Sequence, residues 1–493
     1  MVFSSIPFLY FFLPVCLLLY YLIPAGPKGI PFRNGLLLIF SLIFYAFGEP
    51  VYILLLIVVT LCDYVSGLLM HYVAKKPWQK KCFLILSLCI TLSILGYFKY
   101  TDFAISTVNA LFKKSFSLRG IALPIGISFF TFQSMSYSID LYRGIVQVEK
   151  NYFNYLMYVS LFPQLIAGPI VRFSTVQEEI HSRTVRFSDF KEGFQRFLVG
   201  LFRKVLLANQ MGRCFDAILA VPVSQRTVLL TWLGSISFML QLYFDFSAYS
   251  DMAIGLGRML GFHFPENFNY PYLSLSIEDF WRRWHMSLST WFRDYVFYPL
   301  LRSGLCTKIR QHLKNKKKKK AMNMIPTIFS LMINWSLIGL WHGAFWNYIL
   351  WGLYNGVILC LEQFVYGKKL EKAPKAVRRI YSLFIICTGL TIFAIEDFSV
   401  LGGFMQNLFG IAGAGFCNTY VLWILRNYGV IMLISILLSV GFYPWLKARI
   451  EKSKEGVQTV CCLLGNVGKI VLFVLCTAYL IGDTYNPFLY FRF

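Results

Sequence analysis

Charged residues are scarce in this sequence of 493 residues. They make up 14% of the chain, against roughly 25% in soluble globular proteins. The stretches without Asp, Glu, Lys or Arg are correspondingly long and cover residues 321–361, 398–425 and 427–446. Because about 20 apolar residues span a bilayer as a helix, this pattern excludes the water-soluble classes. It predicts an all-α polytopic membrane protein with about 11 transmembrane helices plus re-entrant or interfacial helices.

Acidic residues are fewer than basic ones, 23 against 47, which leaves a net charge of +24. The basic residues lie between apolar runs rather than in a separate domain, so the excess follows the positive-inside rule and does not indicate nucleic acid. Lys28 and the lysines at 75–81 are then cytoplasmic. The N-terminus and the turn at 48–50 are expected outside.

Several sequence motifs are absent. There is no C-x-x-C among the 12 cysteines, so Cys62, Cys89 and Cys360 are interpreted as small buried hydrophobes. The lack of H-E-x-x-H, of a Gly-Lys phosphate loop and of G-x-S-x-G argues against a catalytic metal, a P-loop and a serine hydrolase. We therefore expect no metal and no permanently bound cofactor. No basic residue precedes the first apolar stretch, which predicts a retained span rather than a cleaved signal.

One histidine stands out because it lies inside the longest uncharged run. His342 is near the middle of residues 321–361, which would measure about 60 Å as one helix, twice a bilayer core. The chain must therefore break, and Gly339 and Gly343 are the expected places. His342 would then lie at a hairpin tip or in a broken helix. It is either a hydrogen-bonded structural imidazole or a functional one.

A second histidine, His285, lies in a segment rich in tryptophan. Ser276 and Asp279 resemble a capping box and predict a helix start. The apolar side chains that follow at 3-4-3-4 spacing predict one continuous helical face: Trp281, Trp284, Leu288, Trp291 and Tyr295. Alone, the segment reads as an interfacial amphipathic helix. His285 faces its aromatic side, away from Arg282 and Arg283, and a catalytic role for it is the alternative.

Other polar residues interrupt apolar sequence at Gln133, Asp245 and Asp251. Helix-packing hydrogen bonds and buried ion pairs explain such residues more often than catalysis does. We interpret them as scaffold or channel-lining residues. The run from Lys316 to Lys320 is either a solvated loop in contact with anionic lipid or a docking patch for an acidic carrier protein.

Seven blocks, in order and along nearly the whole chain, resemble the membrane-bound O-acyltransferase (MBOAT) family. The resemblance is strongest to its bacterial alginate O-acetyltransferase membrane-subunit branch, and it implies a single domain over 1–493 with a motif core at about 121–361. The blocks are MVFSS (1–5), LPIGISFFTFQ (123–133), FPQLIAGPIVRF (162–173), FDFSAYSDMAIGLGRMLGF (244–262), DFWRRWHMSLSTWFRDYVFYPL (279–300), LWHGAFWNYILWGLYNG (340–356) and NPFLYFRF (486–493).

The resemblance implies a ring of helices around two funnels that meet at a thin waist, and transfer of an acyl group to hydroxyls of an exported polymer. The family's invariant histidine corresponds to His342, the expected general base, and its second histidine to His285. His285 or Asn334 would orient the thioester or stabilise the oxyanion. The expected supporting or channel residues are Trp341, Trp284, Arg282, Arg283, Gln133, Asp245 and Asp251.

The resemblance also implies partners and a location. The donor would be a thioester, acetyl-CoA or an acyl-carrier protein, and the acceptor an exported polysaccharide reached through a separate extracytoplasmic SGNH-type acyltransferase. The protein would lie in the bacterial cytoplasmic membrane. Two alternatives stay open: D-alanyl transfer toward teichoic acids, with an acidic carrier at Lys316 to Lys320, and a polysaccharide transporter or flippase without catalysis.

Overall fold

A computed structural model of the chain describes residues 1–482 and 488–489. Secondary structure in that part of the chain is helical, without strands. The backbone forms two compact units. The first contains Met1–Leu201 and Tyr249–Glu266, and the second contains Phe202–Ala248 and Asn267–Phe493. Of the C-terminal block NPFLYFRF, only Phe488 and Leu489 belong to the described residues.

The first unit begins with a π-helical turn (Phe8–Phe12) and has a second one (Leu69–Val73) after α3. Its helices are α1 (Leu13–Leu22), α2 (Ile30–Ala46), α3 (Ile53–Leu68), α4 (Pro77–Phe112), α5 (Ile127–Tyr142), α6 (Tyr152–Ser160), α7 (Phe162–Leu165), α8 (Phe173–His181) and most of α9 (Phe187–Phe202).

The second unit contains α10 (Asn209–Leu219), and the long α11 (Val228–Met259) contributes to both units. Four short helices follow: α12 (Ile277–Trp281), α13 (Met286–Phe292), α14 (Tyr298–Leu301) and α15 (Gly304–Asn315). The remaining helices are α16 (Lys319–His342), α17 (Trp346–Leu361), α18 (Gly367–Lys372), α19 (Lys375–Ala394), α20 (Phe398–Leu408), α21 (Thr419–Ser439), α22 (Phe442–Glu451) and α23 (Glu455–Gly482).

Eight helices of the described residues are long and apolar enough to cross a membrane, and the prediction was about 11. They are Ile53–Val73, Pro77–Phe112, Val228–Met259, Lys319–His342, Trp346–Lys372, Lys375–Ala394, Thr419–Ser439 and Glu455–Gly482. The apolar helices Phe8–Leu22 and Ile30–Ala46 are shorter. A polytopic all-helical architecture is confirmed, whereas several apolar windows correspond to shorter helices.

The apolar stretches at 121–139 and 152–171 are among the spans that the sequence predicts, and the one at 152–171 shows why apolar sequence overcounts spans. The chain leaves helical geometry at Leu161, which has ψ of 114°. Pro163 then occupies the first turn of α7, a position that tolerates proline because its missing N–H would have no helical partner. The window at 121–139 is shortened similarly, because Gly126 has φ of +79° and α5 begins only at the next residue.

Two spans of the second unit, α16 and α17, form a close hairpin. A Cβ atom added to Gly339 would lie 2.3 Å from the carbonyl oxygen of Tyr348, and one added to Gly352 would lie 2.3 Å from that of Trp335. Without side chains at these positions the two backbones approach closely, as small residues allow in membrane helices. The chain turns after Gly343, and α16 runs unbroken through Gly339. Of the two glycines at which a break was expected, only Gly343 breaks the helix.

Large apolar side chains cover much of the outer surface of the spans. Val460, Leu463 and Ile470 on α23 are more than half exposed, as are Leu422 and Val430 on α21. Such surfaces are stable only in contact with lipid or another apolar partner. The expectation that the cysteines are buried holds only in part. Cys387 and Cys476, in two other apolar runs, are buried, whereas Cys89 is exposed and Cys62 and Cys360 are half-buried. The described cysteines form no disulfide.

Candidate active site

His342 is the last residue of α16, immediately before the turn at Gly343. Its side chain is 6% exposed and is enclosed by aromatic rings. The rings of Trp351 and Phe393 meet it edge-on, with centroid distances of 5.1 and 5.2 Å, and Trp341 lies at 5.0 Å. Three helices, α16, α17 and α19, thus hold this imidazole in an apolar, tightly packed environment.

His285 lies at a break between two short helices. Ser276 accepts a hydrogen bond from the Asp279 N–H at 3.0 Å, which confirms the predicted cap. The helix nevertheless ends at Trp281, and His285 adopts a left-handed backbone with φ of +43° before α13 begins. The prediction of one continuous helix to Tyr295 is therefore wrong.

A contact distant in sequence explains this break. The Met286 N–H donates to the backbone carbonyl of Asn267 at 2.9 Å, and Nδ1 of His285 lies 3.0 Å from Asn267 Oδ1. A left-handed non-glycine residue costs about 1–2 kcal/mol, and these hydrogen bonds to Asn267 offset that cost. The break turns the His285 side chain inward, where it is 1% exposed.

The structure brings the two histidines together around Trp341. The Trp341 ring lies 6.1 Å from that of His285 and 5.0 Å from that of its neighbour His342. The His285 ring also packs perpendicular to that of Phe246, with the ring centroids 4.6 Å apart. Burial, and secondarily the nearby His342, lower the pKa of His285 well below its ordinary value, so this imidazole is neutral at physiological pH.

The second unit contains a cavity of about 620 Å³ that is lined in part by Met286, the residue after His285. It is lined by residues of α12, α13, α16 and the segments around them, including Trp281, Arg282, Met286, Arg293 and Asn334. Trp281 connects the cavity wall to His342, because its ring packs 5.6 Å from Trp351, which in turn contacts His342. Two aromatic rings, those of Trp281 and Trp351, thus lie between the cavity and the His342 imidazole.

Asn334 contributes a buried polar group to this cavity. It is 7% exposed, and its Oδ1 has no hydrogen-bond partner among the described residues. It precedes His342 by eight residues on α16, about 12 Å along the helix axis. That separation favours contact with a ligand in the cavity over stabilisation of an oxyanion beside His342.

The remaining predicted residues of this region have structural contacts. Arg282 is exposed and paired with Glu278, and Arg283 donates to Asp279 at 2.8 Å. Trp284 is buried among aromatic side chains, with Phe268 edge-on at 5.1 Å. Asp245 forms a buried ion pair with Lys204 and accepts the Leu489 N–H at 2.9 Å. The contacts of Trp284 and Asp245 are those expected of scaffold residues.

Gln133 and Asp251 belong to the first unit. Gln133 is fully buried in α5, and neither polar atom of its amide has a hydrogen-bond partner among the described residues. Asp251 accepts a hydrogen bond from Arg196 Nε at 2.9 Å, and Arg196 also binds Glu266. The contacts of Asp251 are those of a scaffold residue.

Sequence reasoning missed three contributors to the site. Asn267 precedes His285 by 18 residues, and Phe393 follows His342 by 51, so no local pattern connects either to its histidine. Glu362 accepts the N–H groups of Ile277 and Glu278 at 2.8 and 3.1 Å and so holds the start of α12. An acidic residue just after a long uncharged run was the one available signal for Glu362.

Comparisons with known proteins identify the family of this chain. The model of the membrane-bound O-acyltransferase family matches residues 147–314, a segment that contains His285. A protein of Azotobacter vinelandii named probable alginate O-acetylase is 35% identical over the full length of both chains. This chain belongs to the membrane-bound O-acyltransferase family. It is an O-acyltransferase and a multi-pass membrane protein.

Relatives with other named substrates share parts of the chain. A peptidoglycan O-acetyltransferase of Helicobacter pylori is 32% identical over 85% of this chain and 81% of its own length. A teichoic acid D-alanyltransferase of Bacillus subtilis is 29% identical over 56% of this chain and 69% of its own.

In the part of the chain that the structure describes, no group of three or more His, Cys, Asp or Glu residues could hold a metal ion.

Proposed function

We propose that this enzyme moves an acetyl group from a cytosolic thioester across the bacterial cytoplasmic membrane for O-acylation of an exported cell-surface polysaccharide, with His342 as the general base that activates the acceptor hydroxyl. The observation that carries the proposal is the pair of buried imidazoles around Trp341, in the same unit as a cavity with arginines at its border. The names of the O-acetylating relatives, which match most or all of the chain, support the acetyl group and the polysaccharide.

Acyl transfer from a thioester to a hydroxyl needs one general base and one leaving group. The acceptor oxygen attacks the thioester carbonyl carbon while His342 takes the hydroxyl proton, and an oxyanion forms. When it collapses, the C–S bond breaks and the thiolate leaves with the proton that His342 held, so the imidazole ends neutral. A neutral imidazole is suited to this role because its ordinary pKa is near 6.5. The enclosing rings exclude water, which limits hydrolysis of the thioester.

The cavity fits a thioester donor. Its volume of about 620 Å³ lies in the range of small-ligand sites. Arg282 and Arg293 at its border can bind phosphate groups, and Asn334 Oδ1 can accept an N–H of an amide-containing arm. The donor class is therefore acetyl-CoA or an acyl-carrier protein, both of which combine a phosphate, amides and a thioester. An acyl group that crosses to the outer face would reach the polymer through a separate SGNH-type acyltransferase.

D-alanyl transfer is the second candidate. The observation that favours it is the basic surface of α15 and the residues after it, where Lys308, Arg310 and the run from Lys316 to Lys320 come together in sequence. Such a surface is complementary to an acidic carrier protein. The teichoic acid D-alanyltransferase relatives match only about half of this chain, which is why acetyl transfer is preferred.

Ester analysis tests both candidates. Envelope and exported polysaccharides would be treated with mild alkali and the released acids identified by mass spectrometry, in wild type, a deletion strain, and the deletion complemented with His342→Ala. We expect acetate to disappear in the deletion and to fall at least about 100-fold with His342→Ala, the size of a lost general base. His71→Ala is the matched control, because His71 is an exposed histidine outside the site.

The outcomes separate the hypotheses. Loss of D-alanine instead of acetate would assign the enzyme to the teichoic acid branch. Full ester restoration by a His342→Ala protein, with membrane levels equal to wild type, would exclude the general base and make a transporter or flippase the leading explanation.

A further inference from the structure

The Asn267 side chain contacts His285 and Ser287 through a single oxygen atom. Oδ1 of Asn267 lies 3.0 Å from His285 Nδ1. The same oxygen accepts the hydroxyl proton of Ser287 at 2.9 Å and the backbone N–H of Ser287 at 3.3 Å. Asn267 is 1% exposed, so water does not compete for these contacts.

The backbone N–H of Ser287 fixes the orientation of this amide. A backbone N–H can only donate, so the Asn267 atom that faces it must be the carbonyl oxygen and not the NH₂ group. An amide oxygen can only accept. The ring nitrogen that faces it, Nδ1 of His285, must therefore carry a hydrogen.

We infer that Asn267 is a positioning residue that selects the Nδ1–H tautomer of His285, so that the lone pair of the imidazole lies on Nε2. This inference rests on the proposed function, since it specifies what the second histidine can do. In a neutral imidazole only one nitrogen is protonated. Because burial disfavours the doubly protonated form, the lone pair stays on Nε2.

This tautomer changes the role expected of His285. A neutral imidazole with its only N–H bound to Asn267 has no proton to offer an oxyanion. His285 is therefore a hydrogen-bond acceptor, and the group that meets Nε2 must be a donor, such as the hydroxyl of the acceptor sugar. The oxyanion is then left to other donors, such as a backbone N–H at the break after His342.

The left-handed backbone at His285 supports the same assignment. Asn267 accepts three hydrogen bonds from this segment. Its backbone carbonyl binds the Met286 N–H, and its Oδ1 binds the His285 imidazole and the Ser287 N–H. One asparagine thus sets both the backbone conformation and the ring protonation of this histidine. A purely structural asparagine would need only the backbone contacts.

Nitrogen-15 NMR of the full-length protein in lipid nanodiscs tests the tautomer directly. The chain has six histidines, and labelling their imidazole nitrogens gives separate signals for protonated and unprotonated ring nitrogens. The His285→Gln variant identifies the His285 signals by their loss. We expect protonated Nδ1 and unprotonated Nε2 at neutral pH. A protonated Nε2 in the wild-type protein would overturn the inference, whatever the enzyme transfers.

Three variants connect the tautomer with activity. Asn267→Leu removes the acceptor and is expected to mix the tautomers and to lower polymer acetylation at least about tenfold, as when a group that orients a catalytic histidine is lost. Asn267→Asp keeps an acceptor oxygen and should restore the Nδ1–H tautomer and part of the activity. Asn269→Leu changes an exposed asparagine two residues away and serves as the control.

The failures can be told apart. If Asn267→Leu is folded by size-exclusion chromatography and has wild-type acetylation and an unchanged tautomer, the inference is wrong. If Asn267→Leu does not fold, the tautomer seen in the wild-type spectrum and the tautomer and activity of Asn267→Asp still test the inference. If His285→Gln itself acetylates normally, the proposed function of the pair fails, while the tautomer measurement stands independently.

Discussion

Two imidazoles carry the proposed chemistry, and the backbone holds them differently. His342 ends a long helix and is enclosed by rings from α17 and α19, so its position depends on how closely the hairpin of α16 and α17 packs. His285 depends on a left-handed backbone and one asparagine. A small change in helix packing should therefore affect His342 most, and a change in hydrogen bonding should affect His285 most.

Gly339→Ala tests the first dependence. The added Cβ would lie 2.3 Å from the Tyr348 carbonyl oxygen, so the hairpin must open. Overpacking of this kind costs about 1–3 kcal/mol. We expect a lower melting temperature in detergent and reduced acetylation, because the shift is only three residues from His342.

The matched control is Gly96→Ala in α4, where an added Cβ meets no atom within 4 Å. Alanine is favoured over glycine inside a helix by about 1 kcal/mol, so this variant should be as stable as wild type or slightly more so. Equal melting temperatures and equal acetylation for both variants would contradict the close contact.

At the scale of elements, a buried ion pair connects α11 to two neighbouring segments. Asp245 on α11 pairs with Lys204 of the π-helical turn Arg203–Ala208, and its other oxygen accepts the Leu489 N–H. Both charged side chains are 2% exposed. Because Phe246, the next residue, contacts His285, this anchor also fixes one wall of the site.

Lys204→Met should destabilise the protein strongly, by about 3–5 kcal/mol, because it leaves a buried carboxylate without its partner. Adding Asp245→Asn removes the charge and keeps an oxygen for the Leu489 N–H, so the double variant should recover most of the loss. Thermal unfolding of the purified proteins measures both. Lys447→Met, which breaks an exposed pair with Glu451, should change stability by less than about 1 kcal/mol. A double variant no more stable than Lys204→Met would contradict this account.

Sequence patterns predicted the elements better where the determinants are local. The uncharged run had to turn, and the turn is at Gly343. Ser276 caps a helix as predicted. The prediction of a continuous helix through His285 was wrong. A 3-4 periodicity reflects only the local sequence, whereas the break is imposed by Asn267, which is distant in sequence. For the same reason the sequence could nominate the two histidines as candidates, but it could not predict their aromatic surroundings or the asparagine.

At the scale of the whole molecule, contacts between loops of the first unit show which loops share an end. The Ile125 N–H donates to Glu49 at 3.1 Å, and Tyr45 donates to the Ile125 carbonyl at 3.0 Å. The turn after α2 and the segment before α5 therefore meet at one end. Between them the chain runs through α3, turns at Lys75 and Lys76, and returns along α4, which is about 54 Å long.

The positive-inside rule then predicts that Lys75 and Lys76 are cytoplasmic and that the segment before α5 is outside. Epitope insertions test this. A tag after Ser117, in an exposed loop, should bind antibody in intact spheroplasts, whereas a tag after Lys75 should bind only after permeabilisation. A third tag after Lys317 should behave like the one after Lys75, since its basic loop is expected in the cytoplasm with the donor. The reverse pattern would contradict the orientation, and equal accessibility of the first two tags would contradict the crossing of the bilayer by α4.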